Sequence, residues 1–183
     1  FAAYRWTLEN ARSLGADPSR VAVAGESAGG NMAAGVSMLA RQHGLQAPVH
    51  QVLIYPVAGT DMTTPSYQEN ADAVPLNKPM IEWFFDKYLR GPADMQEPLI
   101  DLVDAPDLGG MPSTTLITAE IDLLRSEGQA LADRLRQAGV PVEAMNYDGV
   151  THEFFGTGAV VADARAAQQF AGQRLREAFA PGS

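Results

Sequence analysis

The pentapeptide Gly25-Glu26-Ser27-Ala28-Gly29 fits the pattern G-x-S-x-G and stands between two stretches of opposite character. Before it, the apolar run Val21-Ala22-Val23-Ala24 follows the turn sequence Asp17-Pro18-Ser19-Arg20 and reads as a short buried strand. After it, from Ala28 to about Gln42, small residues alternate with Met32, Val36 and Leu39 at helical spacing, and Gly44 follows at the C-terminal cap. A serine between strand and helix at this spacing is held on a strained turn with its hydroxyl exposed. The N–H that follows it then points where negative charge would form on an oxygen. The flanking glycines are expected because strand and helix approach too closely there for side chains. In a shuffled chain of this composition the bare pattern would occur about 0.07 times, so the strand before and helix after carry much of the inference.

The remaining pattern repeats the alternation. Gln51 to Tyr55, ending at Pro56, Ser113 to Ala119 and Val142 to Tyr147 are short runs of β-branched character and predict three more buried strands. Ser126 to Ala138 carries a stripe with Leu131 and Leu135 closed by Gly139, and Gly158 to Phe179 reads as a long closing helix. Ala3, Trp6, Asn10, Ala11 and Leu14 mark a helix-like opening. Strands alternating with helices predict an α/β fold, a mostly parallel sheet covered on both faces. We expect one domain over 1–183, with residues 59–108 as a cap-like insertion: they break the alternation with six prolines and one amphipathic stretch, Pro79 to Leu89.

Composition narrows the function classes. With 46% hydrophobic and 19% charged residues the chain can offset the entropy of ordering, which excludes intrinsic disorder. A net charge of −9 argues against nucleic acid and anionic membranes as partners. The absence of cysteine excludes disulfides, thiolate zinc sites and a cysteine nucleophile. No run is long and apolar enough for a membrane span, and no export signal stands in the first 30 residues, so a cytoplasmic location is the expectation.

A serine hydroxyl is a poor nucleophile until a base takes its proton. Of the three histidines, His43 closes a helix and His50 precedes a strand, where capping or solvation is the simpler reading. His152 follows the Val142 to Tyr147 strand through a short Asp148-Gly149 loop, which puts it at the same carboxyl edge of the sheet as Ser27. Asp122, just past the strand ending near Ala119, is the preferred carboxylate behind it, with Glu120 the nearest rival and Asp148 less suited. Asp101, Asp104 and Asp107 lack the ligand pattern of a calcium loop and read as a solvated loop, so no metal site and no cofactor is expected. Trp83, Phe84, Phe85 and Tyr88 either line a pocket or simply fill the core, Phe85 more in the manner of core.

These blocks resemble the bacterial hormone-sensitive-lipase family of carboxylesterases, an α/β-hydrolase group. The stretch from Asp17 to Asn31 is similar to its nucleophile block and Leu53-Ile54-Tyr55-Pro56 to its next strand. Ala119 to Gly128 resembles its acid block and Gly149-Val150-Thr151-His152-Glu153-Phe154 its histidine block. The chain order Ser27, Asp122, His152 is that of α/β-hydrolases. The resemblance implies Ser27 as nucleophile, His152 as general base, Asp122 as its orienter and the Ala28 N–H as one oxyanion donor, acting on short- to medium-chain carboxylic esters. Substrate choice would depend on the insertion and on a pocket near Leu123, Phe154 and Trp83. A homodimer through the last strand and last helix is a further implication. Leu123 stands where the family often has proline and Glu153 where it often has glycine. The family's His-Gly-Gly-Gly loop, which supplies further oxyanion donors, occurs nowhere in the sequence. The expectation is therefore the carboxyl-terminal part of a longer esterase, with about four strands of the sheet. The rival expectations are a ligand-binding module that keeps the pocket without catalysis, and an inactive remnant.

Overall fold

The computed structural model of the chain describes residues 1–180. Its centre is a four-stranded sheet in the order β1 (Val23–Glu26), β2 (Gln51–Ile54), β3 (Thr114–Ile121) and β4 (Val142–Thr151), every neighbouring pair parallel. Sequential strands lie side by side because each is joined by a crossover that returns the chain to the same end of the sheet. The helices are α1 (Ala2–Asn10), α2 (Ala28–Gln42), α3 (Pro65–Glu69), α4 (Lys78–Tyr88), α5 (Arg125–Gln137) and α6 (Ala162–Ala178).

Period-two alternation in the strands sorts the core into two layers. Leu53 and Leu116 face α2 and α5, meeting Ala34 and Met38 from the first and Leu131 and Leu135 from the second. Val52, Ile54, Ile117 and Ala119 face the other way, onto Ala164, Ala167 and Ala171 of α6. Alanines on α6 let that helix lie close to the sheet. A third cluster, Tyr67, Leu76 and Ile81 against Leu123 and Leu124, ties the segment between β2 and β3 to the loop after β3. β1 and β4 are the sheet's edges among the described residues, and most of β4 is exposed.

Several boundaries differ from expectation. The first strand runs 23–26 rather than 21–24, because Gly25 and Glu26, weak strand formers, are carried on by parallel pairing with Leu53 and Ile54. The last helix begins at Ala162, after a tight turn over Phe154–Thr157. The fourth strand does not stop at Tyr147. It continues through the expected Asp148-Gly149 loop to Thr151, with Gly149 at φ +71° and a register shift opposite Ala119 and Ile121. Glu120 fixes this irregularity: its carboxylate accepts the Gly149 N–H at 2.6 Å. No helix among the described residues is long and apolar enough to cross a membrane.

Candidate active site

β1 ends at Glu26 and α2 begins at Ala28, leaving Ser27 alone to make the turn at φ +54°, ψ −123°. A non-glycine residue at positive φ costs free energy and persists only where surrounding bonds over-determine it. Ser27 is held in that way: its N–H donates to Ile54 O at 2.9 Å, and its carbonyl accepts from Gly30 N at 3.0 Å and Val57 N at 3.1 Å. Asn31 completes the clasp by donating to Val57 O and Ile100 O.

The two motif glycines have different reasons. A Cβ on Gly25 would lie 2.0 Å from Gly29 O, so only glycine fits, whereas a Cβ on Gly29 would meet nothing within 4 Å. The crowding expected at Gly29 occurs one residue later, where a Cβ on Gly30 would be 2.8 Å from Pro56 Cβ.

Ser27, Asp122 and His152 come together at the carboxyl edge of the sheet. Asp122 follows β3 and His152 follows β4, neighbouring strands, so their side chains reach one another across the end of the ladder. His152 Nδ1 is 2.7 Å from Asp122 Oδ2 and Nε2 is 3.0 Å from Ser27 Oγ. Asp122 is held from behind by the Leu124 N–H, 3.0 Å from its other oxygen. Asp122 and His152 are buried, at 1% and 4% exposure, while Ser27 is half-buried. A carboxylate accepts only, so Nδ1 carries the proton toward Asp122 and Nε2 is free to accept from the serine. The rival carboxylates lie elsewhere: Glu120 is bonded to Gly149, and Asp148 accepts from Asn146. The Ala28 N–H opens α2, one of the amides a helix leaves without an intrahelical acceptor.

A cavity of about 410 Å³ adjoins Ser27 and Ala28, walled by Met32, Phe84, Phe85, Tyr88 and Ile100 among others. Helix α4 supplies the aromatic wall through Ile81, Phe84, Phe85 and Tyr88, spaced i, i+3, i+4, i+7 on one face. The three pocket residues expected from sequence take other places. Trp83, two positions from Ile81, is on another face of α4, 57% exposed and edge-on to Phe84. Leu123 is buried in the cluster against α3 and α4, and Phe154 is buried between the Tyr55 and Tyr147 rings. Leu123 directly follows Asp122 and Phe154 comes two residues after His152, with the exposed Glu153 between, and both side chains pack into the core instead of lining the cavity. A larger hollow of about 650 Å³ runs along α2 past Val36 and Leu39 and touches none of Ser27, Asp122 or His152.

Two polar residues expected at the surface are buried. His50 bridges Ser113 Oγ at 2.7 Å and Thr115 Oγ1 at 2.8 Å, and burial holds its pKa below the usual histidine value. Asp101 accepts from Thr60 Oγ1 at 2.8 Å and from Asp104 N at 3.1 Å, while Asp104 and Asp107 are exposed. Among the described residues no cluster of His, Asp and Glu is arranged to hold a metal ion.

Glu127 was not singled out by sequence, since an acid in the first turn of a helix is ordinary. It is 3% exposed, and one oxygen accepts the Ala58 and Gly59 N–H groups at 2.8 and 3.3 Å. Its other oxygen is buried without a partner. Burial, with Asp122 and Asp101 nearby, outweighs the two backbone bonds and pushes its pKa up from 4.5 to about 8. An acid with a raised folded-state pKa binds more protons folded than unfolded, so its contribution to stability falls as pH rises through that interval. We expect Glu127→Gln, which keeps an acceptor for both amides, to flatten that decline. Urea midpoints compared from about pH 5 to pH 9 should show the substitution gaining a few kcal/mol, to order of magnitude, relative to the parent at the alkaline end.

Comparison with known proteins places the fold in a family. A family model described as alpha/beta hydrolase fold matches residues 1–156. The chain belongs to the alpha/beta-hydrolase family. Within it, the resemblance to the bacterial hormone-sensitive-lipase group of carboxylesterases holds. This alpha/beta hydrolase is 42% identical over 164 residues to carboxylesterase NlhH of Mycobacterium tuberculosis, covering 88% of this chain and 51% of that protein. It is 38% identical over 167 residues to an ethyl acetate hydrolase of Pseudomonas putida, again covering 88% and 51%. Among solved structures, EstE1, a thermostable carboxylesterase cloned from a metagenomic library, superposes with a TM-score of 0.94 at 37% identity over 98% of this chain and 62% of that one. The chain spans about half the length of the curated relatives it matches.

Proposed function

We propose that the protein hydrolyses short- to medium-chain carboxylic esters through an acyl-enzyme on Ser27. The observation that carries this reading is the unbroken relay from Ser27 Oγ through His152 to Asp122 at 3.0 and 2.7 Å, beside an apolar cavity. His152 Nε2 takes the serine proton as Oγ attacks the ester carbonyl, and returns it to the leaving alcohol. Water, deprotonated by the same nitrogen, then releases the acid. Asp122 keeps the imidazole in the productive tautomer and stabilises its cation in each half-reaction. The Ala28 N–H is one donor to the tetrahedral oxyanion, and family resemblance assigns the others to a His-Gly-Gly-Gly loop that these 183 residues do not contain. Aromatic and aliphatic walls suit an acyl or alcohol group without charge.

The test is covalent. Treated with a p-nitrophenyl alkylphosphonate, the intact protein should take up one phosphonyl group, located on Ser27 by peptide mass spectrometry and absent in Ser27→Ala. Binding of an ester analogue without labelling would turn the reading toward a non-catalytic ligand-binding module. Initial rates across p-nitrophenyl esters should be greatest at short to medium acyl length, and a maximum at long chains would contradict the proposed substrate class.

A further inference from the structure

Tyr55 lies one residue past β2 and precedes Pro56, with its backbone at φ +32°, outside the range an aromatic residue ordinarily adopts. Bonds on both sides hold it there. Its N–H donates to Ile117 O at 2.6 Å, extending the β2–β3 ladder, while Val57 N is tied to Ser27 O. The kink turns the Tyr55 side chain under the site. Its ring centroid is 4.6 Å from that of His152 at an interplanar angle of 54°, and its hydroxyl donates to Glu26 Oε2 at 2.6 Å. Tyr55 is fully buried, and Glu26 is the exposed acid inside the G-x-S-x-G motif, a position the relay itself does not use.

The relay holds the imidazole by two hydrogen bonds, one at each ring nitrogen. When Ser27 is acylated, its oxygen no longer carries a proton for Nε2, and of the two hydrogen bonds only that to Asp122 remains, with the exposed Glu153 carboxylate 3.7 Å from Nε2, while water must be aligned and deprotonated. A ring packed against the imidazole restricts tilt at that stage, and an aromatic face within 6 Å also favours the imidazolium that forms next. The Glu26 carboxylate fixes the phenol at its far end.

We propose that Glu26 and Tyr55 are positioning residues for His152, a brace needed most in deacylation. The inference rests on the Ser27 acyl-enzyme reading and adds to it the step at which the brace acts. In Tyr55→Phe and Glu26→Ala, stopped-flow hydrolysis of p-nitrophenyl butyrate by the intact protein should show kcat lowered on the order of tenfold. That is less than the roughly 10²-fold a 1 Å misplacement can cost. KM should fall alongside kcat, with a burst of about one p-nitrophenolate per enzyme as the acyl-enzyme accumulates. The double variant should be no slower than either single one, because both remove the same hydrogen bond. Glu26→Gln, which retains an acceptor, should recover most of the loss. Kinetics in the variants that superimpose on the parent while only the melting temperature falls would overturn the brace, as would a drop in kcat/KM with KM raised and no burst. Failure of the acyl-enzyme reading would appear instead in the parent, as an unlabelled Ser27. The brace is still read in that case by the His152 Nδ1–H proton resonance, sharp in the parent and exchange-broadened in the variants. Identical resonances would reject it.

Discussion

Asp122→Asn should lower kcat for ester hydrolysis by about 10⁴-fold with the fold intact. The carboxylate accepts from His152 Nδ1 at 2.7 Å and is buried, so it both selects the tautomer and faces the imidazolium directly. An asparagine can turn its NH₂ toward Nδ1, which moves the imidazole proton to Nε2 and leaves Ser27 without a base. The carbonyl oxygen can still accept from Leu124 N, so the loop after β3 keeps its support. The control is Glu120→Gln, which should alter the Gly149 bulge and change kcat far less. Circular dichroism of both variants with kcat on one p-nitrophenyl ester is sufficient. A larger loss in Glu120→Gln than in Asp122→Asn would reassign the carboxylate.

Gly25→Ala should destabilise the protein by roughly 3 kcal/mol or more and abolish phosphonate labelling of Ser27. The added Cβ would meet three backbone atoms, at 2.0, 2.3 and 2.8 Å, none of which can rotate away as a side-chain end would. The start of α2 would have to separate from the end of β1, and the turn that holds Ser27 would open. Gly29→Ala, with open space at its Cβ, should unfold within about 1 kcal/mol of the parent, since alanine is the better helix former. Urea unfolding of the two variants separates them. Equal midpoints would mean that the close approach at Gly25 relaxes at little cost.

That contrast shows where sequence reading succeeds and where it stops. The elbow, the parallel alternation and the chain order of Ser27, Asp122 and His152 were legible because each depends on local spacing or on which strand end a residue follows. Strand ends were less so: β1 keeps Gly25 and Glu26, and β4 runs through a glycine, only because a neighbouring strand pairs with them. The pocket was misplaced for a related reason. Leu123 lies one residue past Asp122 and Phe154 two residues past His152, but nearness in the chain does not fix direction once the backbone leaves the ladder, and both side chains pack into core clusters rather than toward the cavity. The cavity wall comes instead from α4 and Ile100, distant in sequence.

Sequence alone predicted the serine turn, the α/β class and the three residues that the structure brings within hydrogen-bond distance, since these follow from periodicity, from the special backbone a serine needs between strand and helix, and from which strand end a residue follows. Tertiary structure alone decided that Glu127 and His50 are buried, that Gly30 rather than Gly29 is crowded, and that Tyr55 lies against His152. Those outcomes depend on which surfaces meet across the sheet. Burial, pKa and ring contact are properties of the meeting surfaces and leave no mark in the spacing of residues along the chain.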